Sequence, residues 1–136
     1  RLYRGATLKL TAHEAAGMLD QGVPLEEEIP VERAMELASR LGERTGREVF
    51  VTLGPEGMVV ADGGGSAHLG GVRVPPPVDP VGAGDTVVSA LAAVLGGGGD
   101  ARSAGRLANL AASVTVKKLQ TTGTATPPEI RAAASS

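Results

Sequence analysis

The sequence predicts an α/β fold, and three stretches carry that expectation. Glu48 to Leu53, E-V-F-V-T-L, is rich in β-formers and almost wholly apolar, as a strand covered on both faces must be. Ahead of it, Val31, Ala34, Met35, Leu37, Ala38 and Leu41 recur at helical spacing. A helix delivered between two such strands indicates a parallel crossover. The third stretch, V-V-S-A-L-A-A-V-L from Val87 to Leu95, carries no charge. It predicts a helix that is apolar nearly all round and therefore buried.

Composition narrows the function classes. Thirteen Lys and Arg stand against fifteen Asp and Glu, a net charge of −2 among 136 residues. That balance points to neither a nucleic-acid partner nor a polybasic membrane contact. Cysteine is absent, which excludes disulfides and thiolate metal sites and fits a cytoplasmic location. No run has the length of a membrane span, and no signal-peptide pattern opens the chain. Tyr3 and Phe50 are the only aromatics. The core must therefore be Val, Leu and Ala, and no base-stacking platform can be built.

Taken in order, Arg1 to Lys9 reads as an extended entry. T-A-H-E, Thr11 to Glu14, is a capping box that opens a helix over about Ala12 to Leu19, stopping near Gly22. Glu26 to Glu28 reads as solvated charge. The second helix ends at Gly42 or Gly46, and after the buried strand Gly54 and Gly57 turn the chain into another, M-V-V-A. Gly63 to Gly65 and Gly70–Gly71 mark turns around short strands ending at Val72 to Val74. His13 and His68 are isolated and make no metal site. Gly96 to Gly99 is a loop, Asp100 an N-cap, and Ala104, Leu107, Ala108, Ala111 and Val114 share one face of a helix reaching about Lys118. Lys117 and Lys118 suit its negative end. Thr121 to Thr126 is a polar loop, and T-P-P-E from Thr126 is a second capping box with Pro127 at the first helical position.

The chemistry centres on D-P-V-G-A-G-D-T, Asp79 to Thr86, between Pro75–Pro77 and the apolar helix. First-turn helical amides have no intrahelical partners and sit at the positive end of the dipole. Gly82 and Gly84 allow an anion close to that backbone, the construction of a phosphate site. Phosphoryl transfer needs donors for the charge on the moving group and a base for the attacking hydroxyl. Amides of Gly82, Ala83 and Gly84 can supply the first, and Asp85 the second. The plainer alternative is that Asp85 complements the dipole, for at most about 1 kcal/mol, while the glycines serve a turn. G-x-x-x-x-G-K-[ST] is absent, which excludes a P-loop, and G-A-G-D-T-V lacks the third glycine of a dinucleotide fingerprint.

D-P-V-G-A-G-D-T-V-V-S-A-L-A resembles the C-terminal signature of the ribokinase-like (PfkB) carbohydrate kinases. The resemblance implies part of a doubly wound, three-layer α/β/α domain. It implies ATP as co-substrate, Mg²⁺ bridging the nucleotide phosphates, and a sugar or sugar-phosphate hydroxyl as acceptor. It makes Asp85 the catalytic base and Gly82, Ala83 and Gly84 the anion hole. V-T-L-G-P-E-G resembles the family's nucleotide-lining stretch, so Thr52, Gly54 and Gly57 would border ATP; an ordinary hairpin turn is the other reading. L-A-N-L-A-A resembles the segment beside the adenine, which gives Asn109 a nucleotide role, with a solvent-facing Asn as the alternative. K-L-T-A-H-E-A is similar to K-P-N-x-x-E-A, in which the Glu helps arrange Mg²⁺ through water. Leu10 and Thr11 replace the usual Pro and Asn there, and the capping box accounts for Glu14 equally well. Family members hold a monovalent cation, K⁺, between the 121–126 loop and the first Asp of the signature, which makes Asp79 a cation-side candidate.

The tail V-K-K-L-Q-T-T-G-T-A-T-P-P-E-I most resembles the heptose-phosphate kinase branch, whose acceptor is D-glycero-D-manno-heptose 7-phosphate. Family kinases are longer than this chain, which opens at Arg1 without Met. The expectation is that residues 1–136 are the C-terminal, nucleotide-binding and catalytic portion of one carbohydrate kinase domain. The N-terminal half and the lid, with any homodimer contacts, would lie elsewhere, and the portion alone would be inactive. A nucleotide-binding module without catalysis of its own is the second function reading.

Overall fold

A computed structural model describes residues 3–120 and 123–136, so the readings at Arg1, Leu2, Thr121 and Thr122 lie outside the described residues. The chain divides into two compact units, Arg1–Leu69 and Gly70–Ser136. No helix among the described residues is long and apolar enough to cross a membrane.

In the first unit β1 (Leu8–Thr11) runs into α1 (Ala12–Met18), followed by α2 (Val31–Thr45) and β2 (Val49–Thr52). A short 3₁₀ turn, Gly54–Glu56, leads to β3 (Met58–Asp62) and β4 (Gly65–Leu69). The sheet order is β1-β2-β3-β4. β1 and β2 are parallel with Leu8 opposite Val49, and the two later pairs are antiparallel. The parallel crossover is therefore present, and the Gly54–Gly57 turn joins a hairpin.

Side-chain alternation divides the sheet. Leu8, Val49, Val51, Val59 and Ala61 join Ala15, Ala16, Leu37, Ala38 and Leu41 of the two helices in one core. Phe50, Val60 and Met58 occupy the alternate positions and are buried too, as the apolar sequence of β2 requires. α2 ends on Gly46 in the left-handed conformation, φ 70°. The rings of His13 and His68 both bond to loop carbonyls. The ring of His13 bonds the Glu27 carbonyl at 2.8 Å and that of His68 the Glu56 carbonyl at 2.7 Å.

The second unit holds α3 (Ala83–Gly96), α4 (Ala101–Thr115) and α5 (Pro127–Ala134). Asp100 caps α4, its carboxylate accepting from the Ser103 amide at 2.9 Å, a bond that holds the acid below its ordinary range. The predicted strand at Val72 to Val74 is not formed. Three prolines follow at once and cannot donate to a ladder. α4 stops at Thr115, short of Lys118.

A second correction concerns α3. The apolar sequence predicts burial all round, yet only Val87, Ala90 and Leu91 are buried and Val88 is 48% exposed. The buried positions follow i, i+3, i+4, so one stripe is covered and the rest of the helix is not.

Candidate active site

Local sequence sets the entry to α3. Gly82 takes φ 83° and ψ −8°, left-handed, and Ala83 begins the right-handed helix. A Cβ would strain that conformation, which is why glycine stands there. A left-handed residue followed by a right-handed one turns successive N–H groups toward a common concavity, an anion-binding nest. The Ala83 amide donates to the Pro80 carbonyl at 3.1 Å. The Gly82 and Gly84 amides have no partner among the described residues. Two of the three expected donors are therefore open, and the third is shared with the turn.

Asp85 is the third residue of α3 and is exposed. Its carbonyl accepts from the Ser89 hydroxyl at 2.9 Å, while its carboxylate makes no bond among the described residues. Thr86 shares a 2.9 Å hydrogen bond with the fully buried Thr115 hydroxyl, tying the first turn of α3 to the end of α4. An open cleft of about 590 Å³ lies here, lined by Gly82, Asp85 and Ser89 together with Leu107, Thr124 and Arg131. A carboxylate able to take a proton thus faces a cavity, beside amides able to face an anion. Thr86, Thr115 and Arg131 escaped the sequence reading. Thr86 lies inside the signature, but nothing in the sequence says that its hydroxyl is spent on a buried threonine.

Asp79 fastens the turn from behind. One carboxylate oxygen accepts from the Val81 amide at 3.0 Å and the other from the Gln120 amide at 3.1 Å, and its own amide donates to the Val116 carbonyl at 2.8 Å. Asp79, expected on the cation side, thus also holds two loop amides. Among the described residues, no three His, Asp or Glu gather as a metal cluster. Beside it, the Lys118 ammonium donates to the Thr124 carbonyl and pairs with Glu129 at 2.9 Å. Glu129 also accepts from the Thr126 amide at 2.8 Å. That amide first, and then Lys118 and the Thr126 hydroxyl, bring its pKa down to about 2.

Asn109 is buried, and its amide donates to the Gly70 carbonyl at 3.2 Å. The solvent-facing alternative does not hold, and Asn109 does not line the Asp85 cleft.

In the first unit, the other predicted residues gather at the carboxyl ends of the two parallel strands, where ligands of open α/β sheets bind. Thr52 lies opposite Thr11 in the register, and its hydroxyl donates to the Leu10 carbonyl at 3.2 Å. Glu14 follows Thr11 in the capping box, one oxygen accepting from the Thr11 amide at 2.7 Å. Its second oxygen has no partner among the described residues. Gly54 and Gly57, with φ 56° and 92°, bracket the turn that follows β2.

The chain is 41% identical over 133 residues to a bifunctional protein HldE of Halorhodospira halophila, covering 98% of this chain and 27% of that protein. It spans about a quarter of the length of such curated relatives. Among solved structures, phosphofructokinase-2 from Escherichia coli superposes with a TM-score of 0.81 at 19% identity, over 97% of this chain and 41% of that one. Ribokinase from Thermotoga maritima gives 0.76 at 23% identity, over 96% and 42%. Both show the ribokinase-like α/β fold. The sequence profile described as pfkB family carbohydrate kinase matches residues 5–128, a span that contains the Gly82–Asp85 turn, the Thr52–Gly57 turn and Glu14. The chain belongs to the pfkB family of carbohydrate kinases.

Proposed function

We propose that the chain is the nucleotide-binding and catalytic portion of an ATP-dependent kinase that phosphorylates a hydroxyl of a sugar or sugar phosphate. One observation carries the reading: a first-turn carboxylate, Asp85, bonded to nothing among the described residues, lines a cleft beside a left-handed glycine turn. In this reading Asp85 accepts the proton of the acceptor hydroxyl as its oxygen bonds to the γ-phosphorus of ATP. The bond to the bridging oxygen breaks and ADP leaves. The Gly82 and Gly84 amides, with Ala83 in support, face the charge on the transferred group. Thr52, Gly54, Gly57 and Asn109 are assigned to the nucleotide. Glu14 would hold Mg²⁺ through water, and the metal when bound neutralises charge on the nucleotide phosphates.

The similarity to the HldE relative and the K-K-L-Q-T-T-G-T-A-T-P-P-E-I tail favour D-glycero-D-manno-heptose 7-phosphate as the acceptor. The natural setting of this reading is the cytoplasm, where ATP is supplied. Orientation of the acceptor is a large part of such a rate, and the chain spans about a quarter of its relatives. Alone, it is therefore expected to turn over little.

The test is Asp85→Asn in the full-length parent kinase, assayed with a sugar panel that includes heptose 7-phosphate. Loss of a general base costs about 10²–10⁴-fold in turnover, with nucleotide affinity by calorimetry nearly unchanged. Near-native turnover would remove Asp85 from the chemistry.

A further inference from the structure

We propose that the paired hydroxyls of Thr86 and Thr115 are positioning groups for phosphoryl transfer, holding the Gly82–Asp85 turn in place beside the cleft. The role rests on the reading of that turn as the catalytic one. Such a turn does not hold itself. The Gly82 and Gly84 amides have no partner among the described residues, and glycine has more backbone freedom to lose than any other residue. The turn is fixed from outside, by two consecutive residues at the end of α4. Behind it the Asp79 amide donates to the Val116 carbonyl at 2.8 Å. Ahead of it the Thr86 hydroxyl meets the Thr115 hydroxyl at 2.9 Å. The Thr86 amide donates to the Gly82 carbonyl at 3.1 Å, so a shift of Thr86 is passed to the left-handed glycine.

Packing alone does not call for two hydroxyls there. Thr115 is fully buried, and a buried hydroxyl needs a hydrogen-bond partner. Two valines of the same shape would fill the space at little cost in stability. A hydrogen bond differs from that contact in being directional: it fixes the distance between the two oxygens and the rotation of both side chains. Thr115 is held from its other side as well. A Cβ on Gly123 would lie 2.8 Å from both the Thr115 Cγ2 and the Thr115 carbonyl oxygen, so the Gly123 backbone lies against the methyl and the hydroxyl is left for Thr86. Thr86 lines the same cleft as Asp85, its neighbour in sequence. The end of α4 thereby sets the residue beside the proposed base.

The test sets kinetics against stability in the full-length parent kinase. Thr86→Val combined with Thr115→Val is expected to unfold near the wild-type midpoint, because no hydroxyl is left unpaired. Its turnover per folded molecule should fall toward about 10²-fold, the cost of a displacement of about 1 Å at a reacting centre, with KM for ATP nearly unchanged. Thr115→Ser keeps the hydroxyl and should retain most of the rate. Where the double variant does not fold, the single Thr115→Val is set against Thr115→Ser. Folded valine variants with native turnover overturn the proposal, because the bond is then structural only. A loss confined to KM for ATP overturns it too, because the hydroxyls then serve binding. Asp85→Asn assayed alongside keeps the two readings apart. Its near-native turnover removes the base, whereas its loss beside native valine variants removes only the positioning role.

Discussion

Three helices of this chain begin with an acid at the same position, and the acid is used in two different ways. In α1 and α5 the third residue is Glu14 or Glu129, and each carboxylate folds back onto its own helix. Glu14 accepts from the Thr11 amide at 2.7 Å and Glu129 from the Thr126 amide at 2.8 Å. In α3 the third residue is Asp85, and its carboxylate makes no bond among the described residues. The macrodipole favours all three acids by a similar amount, about 0.3–1 kcal/mol, so it cannot be the difference. The N-cap is. Thr11 and Thr126 are extended and bring a hydroxyl to the box, whereas Gly82 is left-handed and brings none. Asp is also one methylene shorter than Glu and reaches back less far. A structural acid and an available acid thus differ by the residue three places earlier.

The largest expected effect comes from erasing that difference. Gly82→Ser together with Asp85→Glu writes a capping box into α3. The cap gained is offset by the strain of a Cβ at a left-handed position, while turnover of the parent kinase falls by about 10²–10⁴-fold as the carboxylate is committed to the cap and the left-handed turn is lost. A double variant with near-native kinetics would break the comparison.

Thr11→Ala makes the opposite cut, at a structural box. It should cost about 1 kcal/mol in a denaturation midpoint and leave turnover per folded molecule unchanged. Its companion Glu14→Gln keeps the box, since Gln serves at that position, so stability should barely move. The Mg²⁺ concentration needed for half-maximal turnover should rise, because a neutral amide orders the metal's water less well. A loss of stability with unchanged Mg²⁺ dependence would reduce Glu14 to a cap.

The smallest effect is one of pH. Glu129 has its pKa lowered from 4.5 to about 2 by the Thr126 amide, Lys118 and the Thr126 hydroxyl. A depressed acid stabilises the fold fully above its ordinary value and loses that contribution as pH falls toward the folded one. Stability of the chain should therefore slope downward with acidification across that interval, and Glu129→Gln should flatten part of the slope in urea denaturation.

Both capping boxes, the parallel crossover and the Asp79–Thr86 turn were legible because each is a local pattern. A hydroxyl three residues before a Glu, an apolar strand after an amphipathic helix, and glycines before a charge-free run need no distant partner to be recognised. What could not be read depends on contacts across the sequence. The charge-free run of α3 says that any face could be buried, and only packing decides that Val87, Ala90 and Leu91 are buried while Val88 is exposed. Lys118 reads as a dipole partner of α4 until Glu129, eleven residues on, takes its ammonium. Asn109 was equally a pocket or a surface residue by sequence, and in the fold it is buried with its amide donating to the Gly70 carbonyl 39 positions away. The Thr86–Thr115 bond, spanning 29 positions, has no sequence signal at all.

The most direct test of the uncommitted acid is the phosphoryl-transfer step itself, measured by rapid-quench single turnover in the parent kinase. If Asp85 takes the hydroxyl proton, Asp85→Asn should slow that step by about 10²–10⁴-fold while the nucleotide binds as before. An Asp85→Asn enzyme that keeps the wild-type rate of that step would contradict the account.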